Sequence, residues 1–336
     1  MKQINWGMLG FGQAGENFYN LFKSNKKSKL RSVASISKLD YLKKKNFRKS
    51  LIYNNYIDLL SSSDLDIIYI SLVNSEHEKY IKECTVHSKD ILVEKPSCLD
   101  RNEFEKISKI IKQKNLYFRE SILYLSHPII NKIVNILKYN EIGEINQINA
   151  EYGFNFAKKK LFFFGRKKKL RQNIFNENLG GGAINNFGHY PLSAFYLFSN
   201  LKSFKNIDEI KVNGKIGKTS VDEFAQINIK LNDCVNLNAR VSIKQNLKNK
   251  VEIIGNKGSI IIPDIWTPPR NFKIYLKNEK QNKEFFFNED RSLWEFEIEN
   301  IENEIINNKS YKTESNIQSS LIYLKISEEW KKRLNI

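Results

Sequence analysis

Three short stretches combine residue types and spacings suited to chemistry on a nucleotide and a small partner molecule. Gly10-Phe11-Gly12-Gln13-Ala14-Gly15 is a GxGxxG set between a strand-like segment at 4–9 and a helix-like one at 14–22. In that pattern the first glycine makes a tight turn, the second lets backbone approach a pyrophosphate and the third allows close helix–strand packing. The phosphates then lie at a helix N-terminus, where free N–H groups and the dipole favour anions. A structural glycine turn has the same spelling, but the strand-turn-helix setting favours dinucleotide binding.

Glu94-Lys95-Pro96 follows a strand candidate at 90–93. Open parallel sheets take their ligands beyond the carboxyl ends of the strands, so a lysine there is placed for chemistry rather than as a turn lysine in solvent. Proline fixes the local backbone, and a cis bond at such a site would be a deliberate feature. The third stretch is Gly180-Gly181-Gly182-Ala183-Ile184-Asn185-Asn186-Phe187-Gly188-His189-Tyr190-Pro191. Three glycines in succession allow backbone to approach a ligand closely, and a helix is expected after them. In that helix Asn186 and Tyr190 share a face as i and i+4, with His189 turned about 100° away. Pro191 cannot bond to the Phe187 carbonyl, so a kink or a restart is expected there.

The second strand should end in a carboxylate if the cofactor is NAD, because an acid accepts hydrogen bonds from the ribose hydroxyls. Here it ends Ala34-Ser35-Ile36-Ser37-Lys38. Ser37 and Lys38 suit a 2′-phosphate, which favours NADP; the alternative is a solvated Lys38 with Asp40 reaching the ribose, which suits NAD. Beyond the strand that ends at Leu72 comes Val73-Asn74-Ser75-Glu76-His77, again at the ligand end of the sheet.

The elements that must carry these stretches follow from periodicity. Residues 1–122 alternate strand candidates (4–9, 30–36, 65–72, 90–93, 117–119) with helical ones (14–22, 39–45, 75–84, 101–114), the rhythm of a parallel sheet with crossover helices. Residues 123–336 change rhythm: a helix at 128–137, then alternating strands at 145–156, 225–231, 235–243, 251–255, 259–262, 272–276 and 284–287. Period-2 alternation predicts a mostly antiparallel sheet with one face on helices. Two amphipathic helices, 293–307 and 317–334, are expected to close the chain.

Together these stretches resemble the Gfo/Idh/MocA oxidoreductase family. The resemblance rests on the 10–15 glycine turn, Asn74 with His77, the Glu94-Lys95-Pro96 tripeptide, residues 120–128, the 180–191 stretch and the Gly255-Asn256-Lys257-Gly258 turn, in the family's order. It implies an α/β chain: an N-terminal Rossmann domain and a C-terminal α/β domain built on a large open, mostly antiparallel sheet through which copies associate. It also implies hydride transfer between a nicotinamide and a sugar, polyol or similar carbinol. Lys95 matches the lysine that contacts the reacting hydroxyl, and Tyr190 the position held by histidine or tyrosine in different members. Cofactor contacts are expected from Gly10, Phe11, Gly12, Gln13, Ala14, Gly15, Ser37, Lys38, Leu72, Asn74, His77, Glu94 and Lys95. Two departures stand out: the family aspartate falls on Asn186, which can hydrogen-bond a substrate but cannot act as a base, and a common arginine falls on Leu125.

A free tyrosine, with a pKa of about 10, is a poor base near neutrality, and a neighbouring ammonium lowers that value. This is the physical reason for pairing Lys95 with Tyr190; His189, with an intrinsic pKa of about 6.5, is the rival. Residues 158–171, with Arg166 and Arg171 among many lysines and three phenylalanines, interleave cations with aromatics. Such a run suits a nucleotide-linked or phosphorylated sugar, a solvated loop, or nucleic acid.

Composition narrows the classes. The 336 residues carry a net charge of +18, of which an overall abundance of lysine accounts for the greater part, and no nucleic-acid motif accompanies it. Three scattered cysteines and four scattered histidines argue against a disulfide framework or a metal site. With no apolar run near the roughly 20 residues that span a bilayer, and a strand beginning near residue 4, a cytoplasmic protein without a leader is expected. The reading that follows is an NADP- or NAD-dependent sugar or nucleotide-sugar oxidoreductase; the alternative is a non-catalytic, dinucleotide-binding regulator.

Overall fold

The computed structural model describes residues 3–22, 28–44, 52–157, 172–199, 207–231 and 234–336, without the side chains of residues 172 and 308. Contacts divide the chain into two compact units, Met1–Ser121 with Trp294–Leu321, and Ile122–Leu293 with Ile322–Ile336. Trp294–Leu321, which the sequence pattern assigns to the second domain, therefore packs with the first.

In the first unit, strands β1 (Ile4–Leu9), β2 (Ser28–Ala34), β3 (Ile52–Tyr53), β4 (Ile67–Ile70), β5 (Asp90–Glu94) and β6 (Phe118–Ser121) form one parallel sheet. Its order among the described residues is β3-β2-β1-β4-β5-β6. All four residues of β4 are buried, as helices on both faces require. The helices are α1 (Gln13–Leu21), α2 (Leu39–Lys44), α3 (Tyr56–Leu60), α4 (His77–Val86) and α5 (Arg101–Gln113). In α5 the Asp100 side chain accepts the Glu103 N–H, and Phe104, Ile107 and Ile111 supply the buried stripe. β3 and α3 lie outside the expected set; two residues of strand and five of helix are too short for a periodic signal. Because the strand order reverses between β1 and β4, the turns that follow β1, β4 and β5 share one edge of the sheet.

In the second unit, α6 (Ile129–Lys138), β7 (Ile145–Gly153) and α7 (His189–Phe198) precede β8 (Ile207–Ile216), β9 (Asp222–Leu231), β10 (Val235–Ser242), β11 (Val251–Gly255), β12 (Gly258–Ile262), β13 (Asn271–Asn278) and β14 (Asn282–Asn288). These strands form an eight-stranded sheet, β14-β13-β12-β11-β7-β10-β9-β8, in which β7 and β10 run parallel and the other neighbours antiparallel. Alternate residues of β9, among them Ala225, Ile227, Ile229 and Leu231, are buried, and Gln226, Asn228 and Lys230 between them are half-buried. β8 was not expected as a strand: at the sheet edge only Ile210 of its ten residues is buried, so the alternation is missing.

The chain closes with one helix, α8 (Leu293–Arg333), rather than two. Residues 308–316 lack an apolar stripe because their docking is polar. Thr313 Oγ1 accepts the Phe118 N–H and donates to the Leu116 carbonyl, each at 3.3 Å, and Asn316 Nδ2 donates to the Phe118 carbonyl at 3.0 Å. These side chains cover the free edge of β6, which would otherwise present unpaired backbone.

Candidate active site

The glycine turn after β1 has the shape of a phosphate cradle. Gly10 has φ +88°, and a Cβ there would fall 2.2 Å from the Ser71 carbonyl oxygen, so only glycine fits. A Cβ on Gly15 would sit 3.0 Å from the Gly10 carbonyl oxygen and 3.3 Å from Met8 Sδ, the close helix–strand approach the third glycine serves. A Cβ on Gly12 would meet nothing within 4 Å. The middle glycine thus faces open space at the start of α1, and no side chain caps that end of the helix. An open, uncapped helix start behind a glycine turn fits a dinucleotide pyrophosphate held by the Gln13, Ala14 and Gly15 segment. Phe11 is buried against Tyr19 and beside Tyr41, so its ring serves packing.

At the end of β2 a cavity of about 480 Å³ is lined by Ile36, Ser37, Lys38, Leu39, Asp40 and Tyr41. Lys38 Nζ lies 5.5 Å from the centre of the Tyr41 ring, a cation–π arrangement, and Tyr41 Oη donates to Glu16 Oε1 at 2.7 Å. Both a cation and a carboxylate, Lys38 and Asp40, therefore stand where the ribose end of a dinucleotide is expected.

The turns after β4 and β5 are fastened to each other by His77. Its ring is fully buried, with Nδ1 2.7 Å from the Pro96 carbonyl oxygen and Nε2 3.3 Å from that of Leu72. Burial pushes its pKa down to about 4, against the pull of the two carbonyls, so at neutral pH the imidazole is uncharged and donates through Nδ1 to Pro96. His77, expected among the cofactor contacts, has a ring with no exposed surface that braces the two turns. Asn74 opens a short 3₁₀ turn, Asn74–Glu76, and is half-buried. The Lys95–Pro96 bond is cis. Glu94 accepts a hydrogen bond from Tyr69 Oη at 2.9 Å, and burial raises its carboxyl pKa while Lys95 opposes the rise. Tyr69, which no local pattern singles out, is thus a support of the Lys95 turn.

In the second unit the chain's own groups stand beside two of the three glycines, Gly181 and Gly182. Gly180 has φ +72°. A Cβ on Gly181 would lie 2.7 Å from the Asn176 carbonyl oxygen and 2.8 Å from that of Ile174. Gly182 has φ +104°, and its Cβ would meet Asp222 Oδ1 at 2.2 Å. The following segment starts as a π-helical turn, Ile184–Gly188, and continues as α7. The change from π to α winding just before Pro191 is the restart that the missing N–H demands.

Asn186 Nδ2 donates to the Gly182 carbonyl at 2.7 Å. Tyr190 is 8% exposed, edge-on to Tyr152 at 4.8 Å and to Trp266 at 5.8 Å. Phe187 packs on the same Tyr152 at 4.6 Å, with half-buried Phe154 and Phe156 next to it. His189 is 1% exposed and rests edge-on against Tyr323 of α8 at 5.7 Å. Consecutive in sequence, the two rings have different neighbours. Arg166 and Arg171 lie outside the described residues. Among the described residues no group of His, Cys, Asp and Glu side chains could hold a metal ion, and no helix is long and apolar enough to cross a membrane.

Comparison with known proteins gives a consistent picture. Residues 4–121 match the oxidoreductase family with an NAD-binding Rossmann fold, GFO_IDH_MocA, and residues 130–261 match the GFO/IDH/MocA C-terminal domain. The trans-1,2-dihydrobenzene-1,2-diol dehydrogenase of Xenopus tropicalis is 24% identical over 268 residues, 78% of this chain and 76% of the relative. The dTDP-3,4-didehydro-2,6-dideoxy-alpha-D-glucose 3-reductase of Saccharopolyspora spinosa is 24% identical over 234 residues, 67% of this chain and 64% of the relative. Among solved structures, a 3-ketoreductase from Actinomadura kijaniata in complex with NADP and TDP-benzene superposes with a TM-score of 0.85 at 18% identity, covering 98% of both chains. An aldose-aldose oxidoreductase from Caulobacter crescentus superposes at 0.82 with 15% identity, over 99% of this chain and 98% of the other.

Proposed function

The chain belongs to the Gfo/Idh/MocA family of NAD(P)-dependent oxidoreductases, and on that premise we propose that it transfers hydride between NADP and a carbinol or carbonyl carbon of a sugar or nucleotide-linked sugar. The observation that carries this reading is the shared sheet edge. There the open, uncapped glycine turn after β1, the Leu72 turn after β4 and the Lys95 turn after β5 lie at neighbouring strand ends. The nicotinamide, when bound, supplies or accepts the hydride. The protein's task is then to hold the dinucleotide at Gly10 to Gly15, orient the reacting hydroxyl and move its proton.

We assign the orienting role to Lys95 and proton transfer to Tyr190, with Asn186 as a neutral hydrogen-bonding partner of the substrate. The buried rings of Tyr152, Phe187 and Trp266 pack around Tyr190 and hold its ring in one orientation, which supports a fixed proton-transfer group. NADP is favoured over NAD because Lys38 and Ser37 stand at the end of β2. Arg166 and Arg171 are proposed to meet the charged part of a nucleotide sugar. We place the reaction in the cytoplasm, which suits the free thiols Cys84, Cys98 and Cys234.

Copies are proposed to associate through the open face of the large sheet. There a ladder of amides runs from strand to strand: Asn228 Nδ2 donates to Asn238 Oδ1 at 2.5 Å, and Asn238 Nδ2 donates to Asn149 Oδ1 at 2.9 Å. Such side chains are satisfied yet still present further donors and acceptors to a second copy.

Fluorescence titration with NADPH and NADH, followed by a hydride-transfer screen over free sugars, dTDP-sugars and trans-dihydrodiols, tests the reading. Tighter NADPH binding with turnover on a sugar substrate is expected. Tight binding without turnover on any of them points instead to the regulator, which the asparagine at position 186 favours. Failure to bind either dinucleotide overturns the reading of the glycine turn.

A further inference from the structure

Asp222 opens β9, 38 residues beyond Ile184, and is 3% exposed. Its Oδ2 accepts the Ile184 N–H at 2.7 Å, and the nearby N–H groups of Ala183 and of Asp222 itself also favour the charged carboxylate. The segment that runs from Ala183 through Tyr190 has no capping side chain of its own. The Ile184 N–H is instead satisfied by a carboxylate imported from the sheet, where the helix dipole also favours negative charge. The fit is tight, since Gly182 at φ +104° leaves a Cβ no room beside Oδ1. The Gly182 carbonyl in turn accepts both the main-chain N–H of Asn186, at 3.1 Å, and its Nδ2, at 2.7 Å. One carboxylate thus sits at the root of the segment that bears Asn186, His189 and Tyr190.

We propose that Asp222 is a positioning residue: its carboxylate fixes the start of the Ala183-to-Tyr190 segment and, through it, the placement of the Tyr190 phenol. The proposal rests on the assignment of proton transfer to Tyr190. Charge is what makes the anchor effective, because an ionised carboxylate accepts from several N–H groups at once, whereas a protonated one turns a donor toward them. Burial raises the Asp222 pKa to about 7, against the backbone N–H groups and Lys331. Lys331, on α8, also donates to Asn185 Oδ1 at 3.3 Å, and the chain neighbour Glu223 is paired with Lys244 at 2.8 Å. His189, directly before Tyr190, is the other titratable group of the segment. The anchor therefore loosens as pH falls through neutrality.

The test uses the full chain labelled with 3-fluorotyrosine, the Tyr190 fluorine resonance being identified by its absence in Tyr190→Phe. In the unsubstituted protein that resonance is expected to shift with pH with a midpoint of about 7. In Asp222→Asn the shift is lost, while the NADPH dissociation constant stays within about twofold. A Tyr190 resonance at the same position at about pH 8.5 in Asp222→Asn and in the unsubstituted protein overturns the proposal; where Asp222→Asn does not fold, Asp222→Glu, which keeps the charge and moves the carboxylate, is read in the same way. The same pH-dependent shift in Asp222→Asn, which would then have another source than Asp222, also overturns it. Absence of NADPH binding would overturn the proposed function separately, since the fluorine signal reads Asp222 without cofactor or substrate.

Discussion

His77 Nδ1 lies 2.7 Å from the Pro96 carbonyl oxygen, so a side chain from the start of α4 holds the turn that presents Lys95. Two neighbouring strand ends, those of β4 and β5, are fastened by one buried imidazole whose Nε2 faces the Leu72 carbonyl. This brace explains how a lysine can be held at the sheet edge on a short turn.

The brace makes stability depend on acid. His77 has a folded pKa of about 4, below the value of about 6.5 it takes in the unfolded chain. The unfolded state therefore binds more protons between those values. Its contribution is complete above pH 6.5 or so and is lost as pH falls toward 4, by an amount on the order of 2–3 kcal/mol. Urea unfolding at pH 7.5 and 5.0 should show this loss, and His77→Phe should abolish that part of it while lowering stability at pH 7.5 by about 1–3 kcal/mol through the orphaned Pro96 carbonyl.

Gly12 and Gly10 should respond in opposite ways. Gly12→Ala adds a methyl to open space, so the melting temperature should stay within about 2 °C while NADPH affinity drops about tenfold or more, because the methyl stands where backbone must approach phosphate. Gly10→Ala should lower the melting temperature itself, since the methyl meets the Ser71 carbonyl oxygen at positive φ. Thermal unfolding and NADPH titration of both variants check the contrast.

Lys38→Ala should weaken NADPH binding by about tenfold and leave NADH binding within about twofold, because the ammonium is needed for a 2′-phosphate and not for a ribose hydroxyl. Equal weakening of both would mean that Lys38 shapes the turn instead, and Asp40 would become the ribose partner. Parallel titrations at low ionic strength separate the two, since screening blunts the difference.

Tyr190→Phe should lower turnover by about 100-fold or more and leave NADPH affinity within about twofold, as expected when a proton-transfer group is removed from a site that still binds its cofactor. The ring packing on Tyr152 and Trp266 is preserved by phenylalanine, so folding should be unaffected. Near-normal turnover would transfer the role to His189 or to a substrate-bound water.

Residues 10–15, 94–96 and 180–191 were legible in the sequence because their information is local. A glycine that requires positive φ, a strand that ends in a turn and a proline that breaks a helix all act within a few residues. The family resemblance and both sheets followed from those motifs and from the period-2 and 3.6 patterns. The weak points lay where periodicity is absent: β8 at a sheet edge with one buried residue, and the middle of α8, where Thr313 and Asn316 dock by hydrogen bonds.

By itself, then, the sequence determined the fold class through its periodicity and the cofactor class through the glycine turn, while the family resemblance made Lys95 and Tyr190 candidates. Only the tertiary structure decided what fills the space around them. His77 braces two turns, and Asp222 and the Ile174 and Asn176 carbonyls stand beside Gly182 and Gly181. The physical reason is that a buried polar group must find its partner wherever the fold supplies one, and for Ile184 that partner stands 38 residues away, beyond any local pattern.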